Sequence, residues 1–338
     1  MDNKTSKKIL RDLIIFILLI ILTFWFIFRH QDLKELRDIL SSANILFIIV
    51  ALFIMLLYFL TQAYNVKKLL QSLGEHVSIT KMLKYVFIEF FFSAITPAST
   101  GGQPMEVYYM AKDGINPAKS TLALLIQVCS FHICAISLGI ICAIFIPHIF
   151  DGYLIWLFIL GIFINGTALA FMLICIFSKK ITNWIINLLL KILILLKANN
   201  INEKEKKINN YLANYQESSI FIKNHKKEFI KSIIRVFIQV ILYYTIPFFI
   251  YKSFNLNAYN ILEIFAMQAI LFSTVSGIPL PGSIGANEFV FLRIFGKVFG
   301  LELLGSAIIL NRGINFYLFV IISAIVVIIT IFQKKKDM

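Results

Sequence analysis

Two prolines and a pair of adjacent glycines interrupt a long apolar run at Thr96-Pro97-Ala98-Ser99-Thr100-Gly101-Gly102-Gln103-Pro104-Met105-Glu106. This stretch restricts the fold more than any other. Proline removes a backbone donor and clashes with the preceding turn, and glycine adds backbone freedom, so a helix stops here. Backbone freed in this way cannot face lipid, because each unpaired group costs several kcal/mol there; it must be buried in protein or line a wet cavity. A second stretch repeats the anomaly, Gly277-Ile278-Pro279-Leu280-Pro281-Gly282-Ser283-Ile284-Gly285-Ala286-Asn287-Glu288. Both contain Pro-x-Ser-x-Gly, as Pro97, Ser99, Gly101 and as Pro281, Ser283, Gly285, and a carboxylate follows each, Glu106 or Glu288.

The surrounding chain is that of a polytopic membrane protein. Its 338 residues are 59% hydrophobic and 15% charged, against roughly 45–50% apolar and about 25% charged in soluble domains. The net charge of +14 would suggest nucleic acid in a soluble protein. Here the basic residues lie in the loops, which predicts anchoring to an anionic inner leaflet and no nucleic-acid partner. The Lys- and Asn-rich composition resembles that of a low-GC bacterium. Cys129, Cys134, Cys142 and Cys175 all fall in apolar runs without a Cys-x-x-Cys pair, so they read as small apolar fillers. No His/Cys/Asp group has metal spacing, and no cofactor motif occurs; no metal and no cofactor are expected.

Basic residues set the topology. Leu13–Phe28 reads as an uncleaved first span with the N-terminus inside, followed by an outer loop to residue 44. Ile45–Ala63 returns. The first break region, 85–110, has lysines on both flanks (Lys81 and Lys84; Lys112 and Lys119), so the chain enters and leaves on one side. Thr121–Ile146 and Leu154–Phe177 span, and the Lys-rich stretch Ser178–Lys231 marks the inside most strongly. Ser232–Tyr251 spans outward, the second break region occupies 261–300, and Leu303–Phe332 ends at Lys334, Lys335 and Lys336 inside. The expected fold is an all-α integral membrane domain over 1–338, with about six full spans and two re-entrant broken helices. Units 45–146 and 232–338 then form an inverted repeat, a transporter architecture with the breaks meeting near the midplane; residues 147–231 link them. The expected location is a bacterial cytoplasmic membrane with both termini cytoplasmic.

Several residues in this frame are candidates for chemistry. The glycines of both breaks can form backbone nests at half-helix N-termini, which favour phosphate or carboxylate; alternatively they only permit close helix packing. Arg312 lies within the last span, where a charge costs ~2.5–3.5 kcal/mol on insertion scales. It either holds a lipid phosphate, which a guanidinium matches in a bidentate way, or pairs with Glu288 and locks the fold. Glu106 and Glu288 could receive a cationic headgroup or a coupling proton. Glu89 is expected to pair with Lys84 or Lys112, and His132 to be a packing residue. Gln103, Tyr108 and Tyr109 follow the first break; the tyrosines read equally as interface-belt residues or ligand contacts.

At these residues the chain resembles the lysylphosphatidylglycerol synthase transmembrane family, also called flippase-like or UPF0104 proteins. The resemblance rests on Thr96-Pro97…Gly101-Gly102-Gln103-Pro104 followed by Tyr108-Tyr109 and Lys112-Asp113-Gly114, on Pro279-Leu280-Pro281-Gly282…Gly285…Glu288, and on Arg312 ahead of an aromatic-rich stretch. It implies a membrane domain that moves aminoacylated phosphatidylglycerol to the outer leaflet, with resistance to cationic antimicrobial peptides as the result. The residues read above give an expected substrate site of Thr96, Pro97, Thr100, Gly101, Gly102, Gln103, Glu106, Tyr108, Tyr109, Pro281, Gly282, Ser283, Gly285, Glu288 and Arg312. In bifunctional members a separate cytosolic domain makes the lipid from lysyl-tRNA. Ser178–Lys231 is too short to bury such an enzyme core, so transferase activity is expected to be absent. Two other readings stay open: a membrane-embedded lipid transferase with Glu288 as its base, and a non-catalytic partner of a separate synthase. A membrane phospholipid is the expected ligand, and a homo-oligomer is a further possibility.

Overall fold

A computed structural model of the chain describes residues 43–150, 152–178 and 226–336, with Trp184, Tyr215, Gln216 and Ile220 as isolated positions. The expected first span at Leu13–Phe28 and most of the Lys-rich stretch lie outside the described residues. The described part is all-α: α1 (Ile45–Ser72), α2 (Ile79–Ile95), α3 (Gly102–Lys112), α4 (Pro117–Phe145), α5 (Leu154–Phe177), α6 (Lys226–Ser253), α7 (Ile261–Val275), α8 (Ala286–Arg312) and α9 (Leu318–Lys336). Five stretches among these residues are long and apolar enough to cross a membrane. The chain is a multi-pass helical membrane protein.

Local chemistry sets the helix ends. Asn44 caps α1 by accepting from Leu46 N at 3.0 Å, and Asn116 caps α4 ahead of Pro117 by accepting from Ala118 N at 2.9 Å. Asn260 and Glu263 form a capping box at α7. Such caps satisfy donors that the first turn leaves unpaired. The last span continues from α8 past Gly300, whose φ of 69° breaks the helix, and through a π-turn at Gly313–Tyr317.

Two helical hairpins are the centre of the fold. Lys84 near the start of α2 is paired with Asp113 just after α3 at 2.7 Å, so both limbs of the first hairpin begin and end at one end of the bundle. Lys119 bridges to Glu75 at 3.1 Å at that same end. The second hairpin closes at the other end. There Phe299 packs edge-on against Tyr251 and Phe254, with ring centroids 5.9 and 6.1 Å apart, next to the start of α7. Asn44 N donates to Ser253 O at 2.8 Å, which places the start of α1 at this second end. The hairpins therefore enter from opposite ends, and the turns Pro97–Ser99 and Pro281–Ser283 pack against each other.

The packing is also reciprocal. α1 lies along α6, α2 packs on α9, and α7 packs on α4. Each unit thus lends its re-entrant limb to the last helix of the other, the arrangement that two units related by a pseudo-two-fold axis produce.

Candidate functional site

The two breaks follow the same backbone course. Thr96 and Leu280 are extended, with φ/ψ of −112°/143° and −106°/143°. A proline follows each, and the next two residues are left-handed: Ala98 and Ser99 at φ 51° and 54°, Gly282 and Ser283 at 58° and 51°. Three of these four are not glycine, and such residues cost of order 1–3 kcal/mol each unless the surroundings hold them. Short hydrogen bonds hold the first turn: Thr96 Oγ1 donates to Phe92 O at 2.6 Å and accepts from Gly101 N at 2.9 Å.

The second turn is held by charge. Arg312 Nε donates to Glu288 Oε1 at 2.7 Å, and its Nη2 donates to Gly282 O at 2.9 Å. Glu288 Oε2 accepts from Gly285 N at 2.6 Å. The guanidinium also stacks 4.3 Å from the Phe316 ring centre. Both charged side chains are buried, at 5% and 3% exposure. Of the two roles open to Arg312, the structure places it in the ion pair that pins the break. Both oxygens of Glu288 are engaged in the same clasp.

Glycine at two positions answers to close approach. A Cβ on Gly102 would lie 2.0 Å from Ser93 Oγ and 2.7 Å from Glu89 Oε1; one on Gly282 would lie 2.2 Å from Phe316 Cζ. Tight packing of the limbs is what these glycines serve.

Beside the breaks lies a cavity of about 550 Å³. Its wall takes Ala98, Ser99 and Thr100 from the first turn, Gln103 from α3, and Ser276 and Gly277 from the approach to the second. Among the described residues Glu89 is the one acidic residue of the wall, and no Lys or Arg lines it. The Glu89 carboxylate accepts from Ser93 Oγ at 2.7 Å and from Gln62 and Gln103 Nε2 at 3.5 Å each. Lys84 is held instead by Asp113, and Lys112 lies over the Tyr108 ring, which corrects the expectation of a Glu89 pair with either. His132 lines the cavity beside Asn165 rather than serving only as packing.

From Glu89 a ladder of side-chain amides runs through the bundle. Gln239 Nε2 donates to Gln62 Oε1 at 3.2 Å, and Gln127 Nε2 donates to Gln239 Oε1 at 3.0 Å. Asn65 Nδ2 donates to Gln127 Oε1 and to Ser232 Oγ. The rungs alternate between α1, α4 and α6. Amides in apolar surroundings hydrogen-bond each other because nothing else will pair them.

Of the residues singled out from the sequence, Thr100 and Gln103 line the cavity. Thr96, Pro97, Gly101, Gly102, Pro281, Gly282, Ser283, Gly285, Glu288 and Arg312 shape the breaks around it. Glu106 is buried behind the first break at 1% exposure, Tyr109 is buried, and Tyr108 faces outward at 41%. Reasoning from charge alone missed Gln62, Gln127 and Gln239; a lone amide in an apolar span was the available signal.

A second hollow of about 460 Å³ adjoins the first and is lined by Pro104, Val107, Thr121, Leu124 and Leu125. Gln103, Val128 and Met172 border both spaces. Fold and site define a helical membrane protein with two broken helices meeting beside a cavity that holds one carboxylate and several amides among apolar side chains and abuts an apolar groove. The family model described as the lysylphosphatidylglycerol synthase TM region matches residues 13–323, and the chain belongs to that family. It is also similar to a UPF0104 membrane protein of Archaeoglobus fulgidus, 28% identical over 101 residues. That match spans 30% of this chain and 31% of the relative.

Proposed function

We propose that this protein moves a phospholipid across the bilayer, with the headgroup in the cavity at Glu89 and an acyl chain in the adjoining groove. The observation that carries the reading is the shared wall: Gln103, Val128 and Met172 border a cavity holding Glu89 and its amide partners on one side and an apolar hollow on the other. A lipid, with a charged head and an apolar chain, suits that juxtaposition. Glu89 without a basic neighbour in the wall favours a headgroup bearing an ammonium, and lysylphosphatidylglycerol, the lipid in the family's name, has one. Gln103, in the first turn of α3, offers the phosphate a second amide N–H beside the one it gives Glu89, while Thr100 Oγ1 donates to Pro97 O. Two hairpins entering from opposite ends suit alternating exposure of one site to the two leaflets.

With the Lys-rich flanks inside, the membrane is a bacterial cytoplasmic membrane, both termini are cytoplasmic, and the lipid moves outward. Resistance to cationic antimicrobial peptides is the physiological consequence, and a separate synthase supplies the lipid.

The test is leaflet exchange of a fluorescent lysylphosphatidylglycerol analogue in vesicles reconstituted with the full chain. Exchange faster than in empty vesicles is expected, and Glu89→Gln is expected to weaken uptake by about 10- to 100-fold, as loss of a charged hydrogen bond does. No exchange above empty vesicles, with aminoacyl, zwitterionic or anionic lipids alike, refutes the reading.

A further inference from the structure

A second carboxylate lies behind the one that faces the cavity, and lipid binding alone does not require it. Glu106 sits one turn after Gly102 on α3, on the face that Gly102 presses against α2. It is 1% exposed and its Oε1 has no hydrogen-bond partner, and a Cβ on Gly102, one turn before it, would lie 2.7 Å from Glu89 Oε1. The groups that share the cavity with Glu89 from the neighbouring helices are Tyr58 on α1, His132 on α4 and Tyr243 on α6, with Gln62 and Gln239 beside them. None is a permanent cation. The charged side chains near the hairpin ends are committed elsewhere: Lys84 to Asp113, Lys112 over the Tyr108 ring, Arg312 to Glu288. Glu89 is half-buried and accepts three hydrogen bonds, so a buried, unpartnered Glu106 beside it, with no counter-charge among the described residues, cannot stay ionised alongside it.

We propose that Glu89 and Glu106 hold one proton between them, and that an ammonium headgroup arriving at Glu89 displaces it, so that the cavity exchanges a proton for a lipid cation. The balance is simple. Two carboxylates with one proton carry one negative charge; two carboxylates with a lysyl headgroup, whose two ammonium groups and one phosphate leave one net positive charge, carry the same. The released proton leaves through the cavity to water. The site thus meets the membrane field with equal charge in both states, and a proton gradient can drive the lipid. The exchange rests on the lipid-binding reading above; the shared proton does not.

The full chain in lipid nanodiscs tests both parts. Infrared difference spectra across a pH step report a protonated carboxyl at neutral pH; Glu106→Gln should remove that band, and Glu89→Gln should shift it by changing its neighbour. A spectrum without such a band at neutral pH overturns the shared proton, whether or not any lipid binds. Binding of lysylphosphatidylglycerol is then measured over a pH series. One-for-one exchange makes the apparent Kd fall about tenfold per unit of rising pH while the pair holds its proton. Phosphatidylglycerol should show no such slope, and Glu106→Gln should flatten it. A slope that survives Glu106→Gln, or a flat profile in the unsubstituted protein, overturns the exchange. Failure of lysylphosphatidylglycerol to bind at any pH refutes the exchange and the translocation reading together, and the infrared result still decides the proton.

Discussion

Replacing Arg312 with methionine removes the clasp on the second break. Two hydrogen bonds go, at 2.7 Å to Glu288 and at 2.9 Å to Gly282 O, together with the stack on Phe316. The larger effect is on what remains: Glu288, at 3% side-chain exposure, keeps the Gly285 amide and the Tyr317 hydroxyl but no positive charge. Removing one member of a buried pair costs about 3–5 kcal/mol, mostly because the other charge is stranded. Arg312→Met combined with Glu288→Gln leaves no stranded charge and should lose only about 1–2 kcal/mol, the loss of ordinary hydrogen bonds. The predicted coupling between the two sites is therefore at least about 2 kcal/mol. Unfolding of the purified protein by titration of sodium dodecyl sulfate in mixed micelles measures it. Additive effects, or a single substitution as mild as the double, would refute the argument. The double variant also tests placement. Arg312 is absent from the cavity wall although its stacking partner Phe316 lines it, so a folded double variant should lose less lipid affinity than Glu89→Gln; a loss as large as that of Glu89→Gln would show that the guanidinium reaches the headgroup.

Other substitutions probe the hairpins and the ladder. Gly102→Ala puts a methyl 2.0 Å from Ser93 Oγ and 2.9 Å from the Glu89 carbonyl; overpacking should cost about 1–3 kcal/mol, and lipid binding should fall because the Glu89 carboxylate is pushed aside. Ala98→Gly, at φ 51°, relieves about 1–2 kcal/mol of left-handed strain against about 0.4–1 kcal/mol of added unfolded-state entropy. Thermal unfolding should show a small gain, and a clear loss would mean the methyl group packs in the cavity wall. Gln239→Leu severs the ladder at both of its bonds and should cost about 1–2 kcal/mol. Adding Gln62→Leu should cost less than the sum, since the two share a rung; additivity in detergent unfolding would mean the ladder is not continuous.

Much of the architecture was legible in the residues. Pro97 and Pro281, each followed by a serine and a glycine at the same spacing, marked both breaks, and the coordinates give them one backbone course. Lysines on either flank of 85–110 implied entry and exit on one side, and the Lys84–Asp113 pair ties those flanks together. The site was less legible. The carboxylates that drew attention, Glu106 and Glu288, lie behind the wall, whereas Glu89, first assigned to a lysine, faces the cavity. Helical phase explains this: Glu89, Ser93 and the surface under Gly102 share one face of the hairpin, and only the pairing of α2 with α3 turns that face inward.

By itself the sequence determined the solvent, the breaks and their duplication, because insertion into lipid and the interruption of a helix are local matters of residue type. Only the tertiary structure decided the partnerships: which unit's helix receives each hairpin, that Arg312 closes on Glu288 24 positions away, and that Gln62 meets Gln239 across 177. A polar group in an apolar span must find a partner, and residue type states that demand without naming who meets it. The answer lies in which helices come side by side, and helix order along the chain does not contain it.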